Sequence, residues 1–434
     1  MAVTVQPCDP HNANAGQEGV EFFDVTNPVQ PSLLGTWSSG FNGAGDVAIV
    51  SSSGKLYALV AVPGSETSPQ GTGEGDLRIV DISDPSHAQE IGNWGVLAAT
   101  ATQLPQAVMG QDQRVFLDSI QLSSDGTRAF LAFWDEGVVV LDVSDPTAIR
   151  SSNAAVFLNH IIYPTTALAT SSTPSSPEGN THLALPVVND SELLVTDDVC
   201  ASGTPLDPAL AVVCGPQNST TLDLNHGWGF LRTYSLPTAG TATLENFFTT
   251  PEAESAPAPD QGIYTAHAVA WNGDVNRPHA YVAWFSSGIE DLDLTSISPP
   301  ALLGKFVPPD TPDPNGSTPG VDNPTKALVF GVAAYQAGGQ PYILASDINS
   351  GLWVVKETPA GGLTILTTTV PDGNVGVPYF ATLSAANGTL GSSRISFTVA
   401  PTSNPLPSGL TLDGSGNITG TPLASGSVAV TFQA

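Results

Sequence analysis

The apolar run of "DLRIVDISDPS" (76–86) ends in an Asp-Pro turn, and the same order of apolar and polar positions returns in "GVVVLDVSDPT" (137–147). With decay it also appears in "GVEFFDVTNPVQPSLLGTW" (from 19), "GFLRTYSLPTAGTATLENF" (from 229), "GIEDLDLTSISPPALLGKF" (from 288) and "GLWVVKETPAGGLTILTTT" (from 351). The copies follow one another roughly every sixty residues, a repeat period long enough for one supersecondary unit each. The wide interval between 137 and 229 holds the inserted stretches "TPSSPEGN" and "GTPLDPALAVVCGPQNST". Two further strand-like runs precede most copies, as in "DSIQLSS" then "TRAFLAFW", and "AHAVAW" then "HAYVAWF". Each unit is therefore expected to form strands A, B, C and D. Strand C reads as an uninterrupted apolar segment buried on both faces. In the turn after it, Asp or Asn accepts hydrogen bonds from the backbone and Pro stops the ladder.

A sheet of this size cannot cover both of its own faces. Copies arranged radially can cover one another, which predicts an all-β chain with a β-propeller of six blades, or seven as the alternative. The first copy lacks most of its A and B strands, so the chain reads as truncated at its start or as completed by a closure strand from elsewhere. The phrases "LRIVDISDP" and "VVVLDVSDP" resemble the LVIVD repeat, and "GIYTAHAVAW", "HAYVAWFSSGIEDLDL" and "ILASDINSGLWVV" resemble later blades of such propellers. The resemblance spans roughly residues 15–360. It implies a propeller of the kind found on secreted or surface proteins of bacteria and archaea, and no particular reaction.

After about residue 366 the pattern changes to short strands with turn signals every eight to twelve residues, the mark of a β-sandwich. The phrase "LPSGLTLDGSGNITGTP" resembles the Ig-like domains found in tandem on bacterial surface proteins, members of the cadherin-like sandwich group. That resemblance covers 371–434 and implies adhesion or spacing, in some members with calcium. The domains are accordingly placed at 1–366 (propeller) and 367–434 (Ig-like sandwich, itself cut short in its last strand).

Composition narrows the function classes. With 11 basic and 40 acidic residues the net charge is −29, which disfavours nucleic acid and anionic membrane surfaces as partners. Abundant carboxylates suit hard cations such as calcium. No run is long enough for a transmembrane helix and no signal peptide is visible at the start. Of the cysteines Cys8, Cys200 and Cys214, the last two flank a loop and would pair in an oxidising compartment, with two free buried thiols as the equal alternative. Nucleotide-binding and α/β-hydrolase motifs are absent.

Aligning the A strands places Asp46, Asp118, His182 and His267 at the same position of four units, with Gly331 there in the last. Radial symmetry would aim them at one axial spot. A His/carboxylate set suits zinc, manganese or iron better than calcium, and such a metal activates water or polarises a carbonyl. The competing reading is that each residue bonds the neighbouring blade. "NDSELLVTDDVC" (189–200) holds Asp190, Asp197 and Asp198, read as a calcium site or as a solvated acidic rim. His160 and His226 read as ordinary loop or interface residues. Trp134, Trp228, Trp271, Trp284 and Trp353 read as inter-blade packing rather than a sugar platform.

The layout predicts an extracellular or surface-attached protein that binds a surface protein, glycan or polymer. The alternative is a metal-dependent hydrolase, lactonase-like, or an oxidase working at the axis, with a divalent metal (Ca, Zn or Mn) and no organic cofactor.

Overall fold

A computed structural model describes residues 1–5, 18–40, 43–66, 72–99, 115–134, 136–161, 180–198, 230–237, 241–250, 264–298, 300–310, 326–337, 340–356, 364–365, 367, 369–383, 385–386, 396–414 and 416–434. The chain divides into two compact units, one of Met1–Ser202, Pro208–Ser219 and Arg232–Leu244, the other of Gly203–Asp207, Thr220–Leu231 and Glu245–Ala434. Among the described residues, every regular element longer than a single turn is a strand.

The first unit opens with a three-stranded sheet, β1 (Ala2–Val5), β2 (Gly19–Asp24) and β3 (Ser32–Ser38). The sequence reading left this copy without most of its A and B strands. Instead β1 supplies the strand that precedes strand C, pairing Ala2 with Phe22 and Val5 with Gly19. The second sheet contains β4 (Asp46–Ser52), β5 (Lys55–Ala61), β6 (Leu77–Asp81) and β7 (Gln89–Trp94) in that order. The third contains β8 (Leu117–Leu122), β9 (Arg128–Phe133), β10 (Gly137–Asp142) and β11 (Phe157–Ile161). The fourth contains β12 (Asn180–Val187), β13 (Glu192–Asp198), β14 (Leu231–Ser235) and β15 (Thr243–Phe248), whose last strand straddles the boundary. All are antiparallel meanders, three strands in the first and A to D in the other three, as expected for propeller blades.

The sheets cover one another's faces. Val20, Phe22 and Trp37 of the first pack on Ala58, Val60 and Val80 of the second. Leu59, Ile79 and Trp94 of the second join Leu117, Leu131 and Val139 of the third. Phe130, Val138 and Ile161 of the third meet Leu193, Val195 and Tyr234 of the fourth. This mutual burial explains the apolar strands B and C, which would otherwise alternate.

The turns after strand C behave as their composition dictates. Asp81 accepts from the Ser83 amide, and Asp84 accepts from both the amide and hydroxyl of Ser86. Asp142–Ser144 and Asp145–Thr147 repeat the pair. Pro85 and Pro146 each start a single 3-10 turn. These hydrogen bonds hold the Asp81 and Asp84 carboxyls below the usual range.

In the second unit, the fifth sheet contains β16 (Ala268–Trp271), β17 (His279–Ala283), β18 (Ile289–Asp293) and β19 (Ala301–Phe306). The sixth contains β20 (Val329–Ala337), β21 (Gln340–Asp347) and β22 (Gly351–Lys356). Tyr281, Ala283 and Ile289 pack on Val329, Ile343 and Ala345 between them. Here one expectation fails: β22 is not buried on both faces, because Leu352 and Val354 are exposed while Trp353 and Val355 pack inward. β23 (Thr364–Ile365) pairs with β25 (Ala385–Ala386), β24 (Tyr379–Thr382) with β28 (Asn417–Gly420), β27 (Leu410–Leu412) with β28, and β26 (Thr398–Val399) with β29 (Phe432–Gln433). Their core is Ala381, Leu383, Ala385, Phe397 and Ile418, with Ile365 packed against it. The sequence reading starts this sandwich at 367, whereas Thr364 and Ile365 already pair within it.

Candidate functional site

The A-strand alignment puts its polar residues where the sequence reading expects them along the strands. Asp46 opens β4, Asp118 is second in β8, His182 is third in β12, and His267 immediately precedes β16. In the first unit three of them are neighbours. His182 Nε2 lies 3.7 Å from Asp118 Oδ2. Burial pushes the Asp46 carboxyl up, opposed by the Ile120 and Val47 amides and then by attraction to His182.

Asp46 is bound along the chain and across it. Its Oδ1 accepts from Val47 N at 2.8 Å, and its Oδ2 accepts from Ile120 N at 2.8 Å, on the innermost strand of the next sheet. His267 does the corresponding thing in the second unit: its Nδ1 donates to Phe330 O at 2.8 Å, at the start of β20. Its ring sits 3.9 Å from that of Phe330 and 4.8 Å from that of Phe285. Gly331 pairs with Ser346 of β21. Among the described residues, no group of three or more His, Cys, Asp or Glu side chains is arranged to hold a metal ion.

Asp76, one residue before β6, was not singled out by sequence. It is 1% exposed and accepts from Gly64, Glu66 and Leu117 amides. The Leu117 contact is a second tie from one sheet to the inner strand of the next. Desolvation nevertheless raises its carboxyl to about 6, helped by the nearby Glu66 charge.

The acidic stretch does not form one site. Asp190 sits in the β12–β13 turn, where its carboxylate accepts from Ser124 N, Ser124 Oγ and Arg128 of the preceding sheet. The turn is strained, since Val188, Asn189 and Asp190 all have φ between +52° and +60°. Asp197, far along β13, is buried and takes Arg232 Nε at 2.6 Å. A solvated rim is therefore the wrong picture for Asp190 and Asp197, which have protein partners instead. Asp198 pairs with Asn180 in the ladder, and its side chain lies outside the described residues. Cys8, Cys200, Cys214, His226 and Trp228 also lie outside them. Trp134 and Trp284 are buried and Trp353 packs against the fifth sheet, so these three are packing residues.

A second polar pattern escapes an apolar reading of strand C. At one aligned position stand Arg78, second in β6, Val139, third in β10, Arg232, second in β14, and Glu290, second in β18. Arg78 is fully buried yet saturated: Nε donates to Gly75 O, and the guanidinium reaches Glu74, Glu90, Ser65 and Thr72. Arg232 pairs with Asp197, and Glu290 with Lys305 at 3.1 Å. Buried ions persist only when paired and hydrogen-bonded. The only signal for this in sequence was a lone charged residue inside a run of Val, Ile and Leu.

Family comparison agrees with both modules. The family described as LVIVD repeat matches residues 71–95 and 120–152, and the family described as Putative Ig domain matches 362–434. No curated protein matches the chain. Among solved structures, the Cps50 (Swd1) β-propeller domain of Myceliophteria thermophila is 9% identical, with a TM-score of 0.37 over 70% of this chain and 66% of that one. A protein of unknown function from Bacteroides thetaiotaomicron is 11% identical, with a TM-score of 0.36 over 78% and 66%. Chaetomium thermophilum Sqt1, bound to the N-terminus of a ribosomal protein, is 12% identical, with a TM-score of 0.40 over 79% of each chain. The chain spans just under two thirds of the length of the first two. Among the described residues no helix is long and apolar enough to cross a membrane. The chain is an all-β protein carrying LVIVD repeats in a β-propeller, followed by a C-terminal Ig-like domain.

Proposed function

We propose that this chain is an extracellular or surface-attached binding protein, whose propeller loops meet a surface protein, glycan or polymer and whose Ig-like module holds them away from an attachment. One observation carries the reading. The polar side chains at the strand starts are engaged in joining sheets: Asp46 to Ile120, Asp76 to Leu117, and His267 to Phe330. A group already saturated by backbone partners is poorly placed to act on a substrate. The interlocked sheets thereby form a rigid support for variable loops, which is how binding scaffolds distribute the two tasks. Fold by itself does not assign function, so the test is direct.

Purified chain, fluorescently labelled, is applied to arrays of glycans, surface proteins and polymers. Saturable binding to one class, competed by unlabelled chain, is expected; no binding on any array removes the proposal. The rival reading, a metal-dependent reaction centre, rests on the approach of His182 to Asp118. Metal analysis decides it: about one tightly held metal per chain, lost in His182→Ala, would replace binding with metal chemistry.

A further inference from the structure

Thr364 and Ile365 belong to two patterns at once. The repeat that begins at Gly351 runs to residue 369 and includes them as its strand D, whereas the Ig-like match covers 362–434 and β23 pairs with β25 inside the sandwich. Their place in the chain is that of a strand D. Seven residues separate strand C from strand D in the first sheet (25–31), the second (82–88), the fourth (236–242) and the fifth (294–300). Seven, 357–363, also separate β22 from β23. The opening residues "TIL" (364–366) resemble "SLL" (32–34) and "ALL" (301–303), which open strand D in the first and fifth sheets.

The sixth sheet has an edge for such a strand. Each of the other five carries a strand beyond strand C, but among the described residues the sixth ends at β22. An open edge presents unpaired amides and carbonyls that take up a further strand. The register follows from the complete sheets. In the first, second and fifth, the last residue of strand C pairs with the first of strand D and the preceding residue with the second. Past the bulge come Phe22–Gly35, Ile79–Gly92 and Asp291–Gly304. The same rule in the sixth sheet gives Lys356–Thr364, Val355–Ile365 and Val354–Thr367.

We propose that the segment opening at Thr364 is a strap with two seats: held by β25 in the described state, it transfers to the outer edge of β22 in that register and completes the sixth sheet. On β25, Ile365 packs on the core that contains Ala381, Leu383 and Phe397. On β22 it would stand beside Val355, which packs toward the fifth sheet, because cross-strand neighbours share a face. Ile365 therefore serves one core or the other. Reach is sufficient, since seven residues make the same return in four other sheets. The starting seat is also near, for β25 lies against β19, strand D of the sheet that packs on the sixth. Transfer withdraws a strand from the Ig-like module, so the edge of the propeller's last sheet and the packing of the module are coupled.

Disulfide trapping in the full chain, with Cys8, Cys200 and Cys214 replaced by Ser, tests this. Ile365→Cys with Ala385→Cys reads the described seat. Val354→Cys with Thr367→Cys reads the transferred seat, and Val354 is 61% exposed, so that pair leaves the core intact. Val354→Cys with Val370→Cys, close along the chain but out of register, gives the background. Both in-register pairs should close within one chain, the second about tenfold faster than background, because a disulfide needs its Cα atoms within about 7 Å. Once Val354–Thr367 is locked, the Ala385 and Ala386 amides should lose their hydrogen-exchange protection and regain it on reduction, since β25 has β23 as its partner. Closure of Val354–Thr367 at the background rate overturns the proposal. So does a link formed between two chains, which would give the edge to a second copy. Unchanged protection of Ala385 and Ala386 in the locked chain, or an Ile365–Ala385 pair that does not close, overturns the exchange as well.

Discussion

Strand D carries a glycine at one repeated position, in "LLGTW", "EIGNW" and "LLGKF", one residue past a β-bulge. The three neighbourhoods differ, and so should the cost of adding a methyl group. A Cβ on Gly35 would lie 2.0 Å from the Pro85 carbonyl oxygen, 2.8 Å from its carbon and 2.9 Å from Ser86 Cα, all of them backbone. Favourable contacts begin near 3.5 Å, so the 3-10 turn of the second sheet would have to retreat by more than an ångström. At Gly92 the nearest atom is Arg150 Nη1 at 2.0 Å, a side chain that can rotate away, although Ile149 O stands at 3.0 Å. At Gly304 a Cβ meets nothing within 4 Å. Overpacking of an unyielding site costs typically 1–3 kcal/mol, so Gly35→Ala should lose about 3 kcal/mol and Gly92→Ala about 1 kcal/mol. Gly304→Ala should be neutral or gain about 0.5 kcal/mol, since a strand glycine is entropically costly. For a unit of this size the first change lowers Tm by roughly 6–10 °C. Differential scanning calorimetry of the three variants gives the ranking directly. If Gly35→Ala melts with wild type, or Gly304→Ala falls as far as Gly35→Ala, the docking of one sheet's turn into the next sheet's strand D is not what holds them together.

Removing the buried guanidinium in Arg78→Leu leaves Glu90, Ser65 and Thr72 facing an apolar group and should cost about 3–5 kcal/mol in urea unfolding. Adding Glu90→Gln should recover part of that loss, because the unpaired charge goes with it; equal or greater loss in the double variant would count against the ion-pair account. Asp125 accepts from Ser123 Oγ and from the amide and hydroxyl of Thr127, which lower its carboxyl to about 2. Its folded value is depressed, so its contribution is present above about pH 4 and fades as pH falls toward 2. Asp125→Asn should flatten that part of the acid-unfolding curve followed by circular dichroism, and an unchanged curve would show the hairpin does not draw on the carboxylate.

The repeat was legible because its physics is local. A run of Val, Ile and Leu closed by Asp-Pro specifies a buried strand and a turn within a dozen residues, and Asp81, Asp84, Asp142 and Asp145 act on neighbours two residues away. The starts of the A strands were legible for the same reason. What Asp46 touches was not, since Ile120 is distant in sequence and only the stacking of sheets brings it near. Asp190 shows the limit most clearly. In sequence it belongs with Asp197 and Asp198, but the hairpin carries it to Ser124 and Arg128, while Asp197 is buried against Arg232. Neighbouring acidic residues read as one cluster only until a strand separates them.

The charged second residue of strand C explains why a sheet-stacking protein tolerates ions in its interior. Strand C lies between strands B and D, and at the position of Arg78 its residue is buried in the second to fifth sheets, with no route to water. Val139 solves this by being apolar. Arg78, Arg232 and Glu290 solve it by reaching the loop or the strand beside them, each with an opposite charge at hand. An apolar residue there would pack equally well, so stability does not require the ions. What they add is a fixed link between the interior and the B–C loop, through Gly75 O in the second sheet and Ser287 Oγ in the fifth. In the third sheet Val139 leaves that link to the opposing strand, and His160 takes it over from across the ladder.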